Sequence, residues 1–136
     1  MAVFAIFAAM EKIVVRSPLA PEPIGPYSQA IRTGNMLFVS GQIGIDQSTG
    51  QVVAGGVEAE AEQVMKNIGF ILKQAGTDFS RIVKCTIFLR TMSDFPKVNT
   101  IYAGYFNEAP PARETVAVSG LPKDVQVEIS CIALIP

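Results

Sequence analysis

The sequence predicts an α+β domain in which a mixed six-stranded sheet carries two helices on one face. Two segments have the three- and four-residue spacing of apolar side chains that is typical of amphipathic helices. Six other segments have the composition of strands, and the resulting order is β-β-β-α-β-α-β-β, with hairpins at both ends. The last strand is apolar on both sides, which indicates more apolar sheet surface than two helices can cover.

Three N-terminal segments are predicted strands: Ile13–Arg16, Tyr27–Thr33 and Met36–Ile45. The prolines between the first two segments disfavour a helix and indicate an extended loop. Gly34-Asn35 is a hairpin turn signal, so the second and third strands should pair. Gly41 and Gly44 within the third strand indicate a bulge or a close approach of another part of the chain.

The middle of the chain predicts two helices separated by one strand. Val57–Ala75 has a single apolar stripe and acidic residues near its N-terminal end, where they favour the helix dipole. Arg81–Arg90 alternates apolar side chains as a strand does. Ser93 or Asp94 is expected to cap a second helix that continues to about Phe106.

The C-terminal part predicts the last two strands, Thr115–Ser119 and Val125–Ile135. In the final strand, Ile129 and Cys131 point to one side of the sheet and Ile132 points to the other. Apolar residues make up 49% of the chain, and the mean hydropathy of +0.35 is high for a soluble monomer. We therefore expect the uncovered sheet face to meet another sheet in an oligomer.

A chain of 136 residues is expected to form one domain, at residues 10–136, after an apolar N-terminal appendage of residues 1–9. The appendage is too short to span a membrane and lacks the basic start of a signal peptide. The net charge of −1 gives no basic surface for a phosphate backbone. These features predict no membrane partner, disfavour nucleic acid, and suggest the cytoplasm while leaving an organelle open.

The chain contains no histidine, which excludes Ser-His-Asp and Cys-His catalysis, histidine metal sites and histidine acid–base chemistry. Its two cysteines, Cys85 and Cys131, lack the spacing of a metal site or a redox pair. We expect them to be small buried apolar residues. The predicted site therefore has neither a metal nor a cofactor.

Two charged residues stand out as candidates for chemistry. Arg113 follows Pro110-Pro111-Ala112, which holds the backbone extended at the start of a strand and suits bidentate binding of a carboxylate or phosphate. Glu128 interrupts an apolar strand, where burial would raise its pKa and make it a plausible general acid or base. The alternatives are a surface loop arginine and an interface or edge carboxylate paired with Lys or Arg.

Other residues give weaker signals. Tyr27 follows Gly25-Pro26 and either directs its hydroxyl into a pocket or only packs. Ser40-Gly41 and Asn99 carry little information singly.

Five motifs extend along the chain in a fixed order: Gly25-Pro26-Tyr27-Ser28-Gln29-Ala30, Phe38-Val39-Ser40-Gly41-Gln42-Ile43, Val98-Asn99-x-x-Tyr102, Pro111-Ala112-Arg113 and Val127-Glu128-Ile129. In these motifs the sequence resembles the RidA (YjgF) family, from about Ile13 to Ile135. The resemblance implies a chorismate-mutase-like α+β fold. It also implies a homotrimer whose sheets line an inner barrel, with three ligand clefts between subunits.

The resemblance further implies a deaminase for reactive enamine and imine intermediates, 2-aminoacrylate (2-iminopropanoate) and 2-iminobutanoate. Pyridoxal-phosphate-dependent dehydratases release these, and hydrolysis yields a 2-keto acid and ammonia. By this resemblance Arg113 holds the substrate carboxylate and Glu128 positions or activates the attacking water. Tyr27, Ser40-Gly41 and Asn99 would shape the cleft. The backbone N–H of Thr115, which replaces a cysteine common in the family, would also bind the carboxylate.

Two other functions stay open at this point. One is a non-catalytic protein that binds a 2-keto acid or a similar small anion in the Arg113 cleft. The other is translation inhibition through ribonuclease activity, as claimed for some relatives; the acidic pI near 5.4 and the absence of histidine argue against it. A chaperone-like role is neither supported nor excluded.

Overall fold

The computed structural model of this protein describes residues 11–136, so the predicted appendage of residues 1–9 lies outside the described part. The described strands are β1 (Lys12–Val15), β2 (Ala30–Thr33), β3 (Met36–Gln42), β4 (Ile45–Asp46), β5 (Gln51–Val52), β6 (Ile82–Leu89), β7 (Ala112–Ala117) and β8 (Val127–Leu134). The α-helices of this part are α1 (Gly56–Gln74) and α2 (Phe95–Ala103).

One mixed sheet of six strands has the order β1-β2-β3-β8-β6-β7. All neighbours are antiparallel except β6 and β7, which are parallel. The predicted six-stranded mixed sheet is thus confirmed, but the predicted C-terminal hairpin is wrong. The chain reaches β7 from β6 through α2, and such a crossover is the usual connection between parallel strands. The strand β8 then inserts between β3 and β6, where both of its apolar sides can be used.

The N-terminal hairpin is confirmed, because Thr33 lies opposite Met36 and Gly34 turns the chain with a φ of 57°. The predicted third strand is shorter than expected, and its register shifts between Val39 and Gln42. The residues after it form the small β4–β5 pair, which the sequence analysis missed.

The close approaches predicted at two glycines are both present. A Cβ atom on Gly44 would lie 2.9 Å from the Cα atom of Glu60, so α1 could not pack against a larger residue there. A Cβ atom on Gly41 would lie 2.5 Å from the Oε2 atom of Glu128. Gly41 therefore provides the space that the Glu128 carboxylate occupies.

The helix α1 buries the predicted apolar stripe, but it also buries two polar side chains that the pattern did not predict. The amide nitrogen of Asn67 donates to the carbonyl oxygens of Ile43 and Ile45, at 3.2 Å and 2.9 Å. Glu60 accepts a 2.9 Å hydrogen bond from the backbone N–H of Gln126. Both side chains are satisfied by hydrogen bonds to backbone groups, which explains why their burial is tolerated.

The helix α2 is shorter than predicted and is capped differently. Thr91 accepts a hydrogen bond from the N–H of Ser93 and begins a 3₁₀ turn, Met92–Asp94, that leads into α2. Asp94 occupies the N-cap position of α2, as predicted, but its side chain makes no capping bond. The side chain that caps this region is Thr91, at the start of the 3₁₀ turn.

The two faces of the sheet differ as predicted. In β8 the residues Ile129 and Cys131 are buried against the helices, whereas Ile132 lies on the other face and is partly exposed. On this open face Val14 and Phe38 are 59% and 43% exposed. A solvent-exposed apolar sheet face is what the sequence analysis expected before association with a second sheet.

The cysteines behave as predicted. Cys85 and Cys131 are both buried free thiols, and they lie opposite each other on β6 and β8. Burial raises the pKa of both thiols, which keeps them protonated and unreactive.

Candidate functional site

Arg113 lies within the edge strand β7, opposite Cys85 of β6. The sequence placed this strand's start at Thr115, and β7 in fact begins at Ala112. The alternative of a surface loop arginine is therefore wrong. The parallel pairing with β6 is the reason, because it extends strand geometry to the residue that directly follows the two prolines.

Three side chains of α2 surround the Arg113 guanidinium. Asn99 accepts a 2.8 Å hydrogen bond from Nη1 of Arg113 through its Oδ1 atom. The guanidinium carbon lies 4.9 Å from the ring centre of Tyr102 and 5.4 Å from that of Phe95. The three residues are separated by four and three positions, so they share one face of the helix.

No carboxylate neutralises this guanidinium within residues 11–136. The ion pairs described there join other residues, such as Lys84 with Glu114 and Arg90 with Asp124. An arginine has five N–H donors, and the hydrogen bond to Asn99 uses one of them. The remaining donors are sufficient for bidentate binding of a carboxylate.

The guanidinium faces a cavity of about 400 Å³ at the C-terminal end of α2. Its lining is mainly apolar and consists of Asn99, Tyr102, Ala103, Phe106, Pro110, Pro111 and Arg113. We call this the arginine pocket. The buried hydroxyl of Tyr102 lies beside the Cys85 thiol, and burial raises the pKa of this phenol. The pocket thus combines one cation with apolar walls, as a site for a small organic anion does.

Glu128 lines a second cavity of about 330 Å³. The other lining residues are Ile24, Tyr27, Ser40, Gly41, Ile43 and Pro122, and we call this the glutamate pocket. Burial raises the pKa of the Glu128 carboxyl above its usual value. The described residues offer this carboxylate no ion pair, and β8 is a central strand, so the alternative of a paired edge carboxylate is not observed within the chain.

The polar groups around Glu128 are fixed by backbone contacts. The Tyr27 hydroxyl accepts a 3.2 Å hydrogen bond from the N–H of Ile24, and the Tyr27 ring is 47% exposed. Ser40 donates a 2.6 Å hydrogen bond to the carbonyl oxygen of Ser28. The Ser40 hydroxyl is therefore occupied within the chain as a donor. Tyr27 lines the pocket with its ring. The sequence left open whether the hydroxyl points into a pocket or the residue only packs, and the structure combines parts of both.

Gln29 organises the loop that carries Tyr27, and the sequence analysis quoted this residue without assigning it a role. Its side chain is 2% exposed. It accepts a 2.7 Å hydrogen bond from the N–H of Ser17 and donates to the carbonyl oxygens of Ser17 and Pro21 at 3.1 Å and 3.0 Å. A glutamine directly before an apolar strand residue is the only signal in the sequence that could have suggested such a buried anchor.

The two pockets lie on opposite faces of the sheet. Arg113 is opposite Cys85, and Cys85 is opposite Cys131, so Arg113 shares the helix-covered face with both thiols. Glu128 is three residues from Cys131 and opposite Phe88, which places it on the open face. Within one chain the structure therefore brings Asn99 and Arg113 together, and separately Tyr27, Ser40, Gly41 and Glu128.

Thr115 belongs to the arginine side of the sheet. It is two residues from Arg113 in β7, so both side chains project from the same face. Its hydroxyl oxygen is buried and has no hydrogen-bond partner in the described chain.

Two further observations concern residues 11–136. None of their helices is long and apolar enough to cross a membrane. In the same residues no three side chains of the metal-binding types His, Cys, Asp and Glu come together as a candidate metal site.

Comparison with known proteins adds to this geometry. Residues 17–135 match the family model described as endoribonuclease L-PSP. Over 122 residues the chain is 51% identical to a RutC family protein of Pyrococcus horikoshii, covering 90% of this chain and 97% of that protein. It is 48% identical over 121 residues to a human protein named 2-iminobutanoate/2-iminopropanoate deaminase, covering 89% of this chain and 88% of that protein.

Solved structures agree with the fold. A Yersinia pestis protein described as a protein of unknown function of the conserved Rid family has a TM-score of 0.89 and 48% identity, covering 92% of this chain and 100% of that chain. The product of the Escherichia coli gene yjgF has a TM-score of 0.85 and 42% identity, covering 90% of this chain and 98% of that chain. On the family match, the relatives and these structures together, the chain belongs to the RidA (YjgF, endoribonuclease L-PSP) family.

Proposed function

We propose that this protein is a deaminase that hydrolyses 2-imino acids and their enamine forms to 2-keto acids and ammonia. The substrates would be 2-aminoacrylate (2-iminopropanoate) and 2-iminobutanoate, as released by pyridoxal-phosphate-dependent dehydratases. The observation that carries the proposal is the Arg113 guanidinium, which faces an apolar pocket without a carboxylate partner in the described chain. The mammalian relatives named for this activity, at 48% and 49% identity, support it.

In the first part of the mechanism, Arg113 binds the substrate carboxylate through two parallel N–H bonds. Asn99 holds the guanidinium from the side of α2, at 2.8 Å. The strand β7 has a neighbour on one side only, so backbone N–H groups on its free edge are available to a ligand. The N–H of Thr115 is our candidate for a second contact to the carboxylate.

In the second part of the mechanism, Glu128 acts as the general base for the attacking water. Because burial raises its pKa, the carboxylate is a stronger base than an exposed glutamate and can accept a proton from an attacking water. The water oxygen bonds to the imine carbon, and the proton passes through Glu128 to the nitrogen. The carbon–nitrogen bond then breaks as the remaining hydroxyl proton moves to the nitrogen, which leaves the 2-keto acid and ammonia. Imines hydrolyse readily, so orientation and proton transfer suffice.

This mechanism needs the arginine pocket and the glutamate pocket to face one another, although they lie on opposite faces of one sheet. We propose that two copies of the chain form each cleft within a homotrimer. The open face supports this arrangement, because Val14 and Phe38 are 59% and 43% exposed in the single chain. Three copies with their open faces inward would cover this surface and would form three clefts.

The test is a coupled assay in which a dehydratase acts on serine or threonine and keto-acid release is followed. The wild-type protein should speed the release. Arg113→Ala should abolish the effect, whereas Arg81→Ala, at an exposed arginine without an ion pair among the described contacts, should not. An unchanged release rate with wild-type protein would refute the deaminase.

Two further measurements test the two alternative functions, RNA cleavage and non-catalytic binding. The family description, endoribonuclease L-PSP, favours a test of RNA cleavage. Cleavage that survives repurification and Arg113→Ala would support a nuclease that acts elsewhere on the chain. Tight binding of a 2-keto acid without any turnover would instead support a non-catalytic binding protein.

A further inference from the structure

The Arg113 side chain is held by rings rather than by a counter-charge. Arginines are almost never fully buried unless they are paired, and a carboxylate partner fixes the position of the guanidinium. Here the guanidinium carbon lies 4.9 Å from the centre of the Tyr102 ring and 5.4 Å from that of the Phe95 ring. Both aromatic residues belong to α2, and both pack against the hydrophobic core.

Contact with ring faces has a different consequence from an ion pair. The face of an aromatic ring attracts a cation, yet it does not occupy the N–H groups at the edge of the guanidinium. A carboxylate partner would have to be displaced before a ligand could bind, whereas rings leave the edge free. The rings also limit the rotamers of a long side chain, so less conformational entropy is lost when a ligand binds.

The rings themselves are rigidly placed. Tyr102 is 5% exposed and packs against Phe106, with ring centres 4.7 Å apart. Phe95 begins α2 directly after the 3₁₀ turn that Thr91 caps. The position of Arg113 thus depends on the helix across from it as well as on its own strand.

We propose that Phe95 and Tyr102 are positioning residues, whose rings orient the Arg113 guanidinium for its anionic ligand. This inference rests on the proposed function only in taking a 2-imino acid or a 2-keto acid as the ligand. The orientation of the arginine itself can be measured without any ligand.

The ligand-free test is the ¹⁵N–¹H signal of the Arg113 Nε–H group, assigned by its loss in Arg113→Lys. In the wild-type protein, the neighbouring rings should shift this proton away from the value of a free arginine, and the signal should report an ordered side chain. Tyr102→Leu and Phe95→Leu should each move it toward the free value. Tyr102→Phe keeps the ring and should leave it nearly unchanged. A signal that is the same in all variants would refute the positioning role.

The functional test separates binding from turnover. In Tyr102→Leu we expect the Kd for 2-ketobutyrate and the KM for the imine to rise about tenfold, with kcat changed less than about twofold. Tyr102→Phe should restore both values, because it keeps the ring that lies against the guanidinium. Tyr105→Leu is the matched control, because this tyrosine packs against Phe79 and donates a hydrogen bond to Glu62 instead.

The outcomes distinguish the two proposals. If the wild-type protein shows no deaminase activity but the Nε–H signal responds to Tyr102→Leu and Phe95→Leu, the proposed function fails and the positioning role stands. If the deaminase is active and neither the signal nor the KM responds, the positioning role fails alone. Phe95→Leu changes a partly buried ring, so it keeps the test available should Tyr102→Leu not fold.

Discussion

The two faces of the central sheet carry the two halves of the candidate site, and they hold their charged residues in opposite ways. On the helix-covered face, Arg113 lies against two rings and an amide, and its charge is retained and directed. On the open face, Glu128 sits in the space left by Gly41, and burial makes its charge less favourable. The Arg113 cation is thus positioned to bind an anion, and the Glu128 carboxylate has a raised affinity for a proton.

The difference also explains why the proposed mechanism needs two copies of the chain. Register fixes Arg113 and Glu128 on opposite faces, and no rotamer change can move a side chain through a sheet. A reaction that uses both residues therefore requires a second copy. Each prediction below tests whether the two faces have separate roles or whether they join in one cleft.

The largest expected effect is on turnover in Glu128→Gln. Loss of the proton acceptor should lower kcat for imine hydrolysis by roughly a hundredfold to a thousandfold. The affinity for 2-ketobutyrate should change by less than about twofold, since the carboxylate anchor lies on the other face. Stopped-flow kinetics and calorimetry measure the two quantities. A large loss of affinity would assign Glu128 to binding.

The second prediction concerns mixed oligomers of Arg113→Ala and Glu128→Gln. In a ring of three, every mixed trimer has one cleft with both wild-type residues, so equal mixing should restore about a quarter of wild-type activity. Each parent alone should remain nearly inactive. The two proteins would be refolded together and assayed beside the separately refolded parents. Activity that does not rise above the parents would contradict a cleft made by two copies.

The third prediction is for Gly41→Ala. The new Cβ atom would lie 2.5 Å from the Oε2 atom of Glu128, so the flexible carboxylate must move away while the fold is retained. We expect turnover to fall roughly tenfold to a hundredfold, with a small change in melting temperature. Gly120→Ala is the matched control, because its Cβ atom would meet no atom within 4 Å. Equal activity in the two variants would show that the carboxylate position does not matter.

The smallest expected effect is on stability as a function of pH. Burial raises the pKa of Glu128 in the folded protein, so the folded state binds a proton more tightly than the unfolded state does. The free energy of unfolding should therefore fall as pH rises from the ordinary carboxyl pKa of 4.5 to the raised pKa of Glu128. Glu128→Gln should remove this dependence and melt at a slightly higher temperature near pH 7. Thermal melts from pH 4 to pH 8 would show an equal slope in both proteins if burial has no such effect.

The sequence by itself determined the layers of this fold. The apolar stripe of α1 and the Gly34-Asn35 hairpin depend on neighbouring residues, and both were predicted correctly. The second apolar face of β8 was predicted for the same reason, since alternation along a strand is a local property. The absence of histidine from the sequence excludes the hydrolytic mechanisms that depend on histidine.

Only the tertiary structure decided which strands are neighbours and which residues share a face. The insertion of β8 between β3 and β6 replaced the predicted hairpin, and it placed Glu128 on the face opposite Arg113. The contacts of the Phe95 and Tyr102 rings with Arg113 could not be predicted from the sequence either, because the two residues have the spacing of ordinary core residues. Strand pairing and contacts between helix and sheet join residues far apart in the chain, so their free energy depends on the whole packed structure and has no local signature.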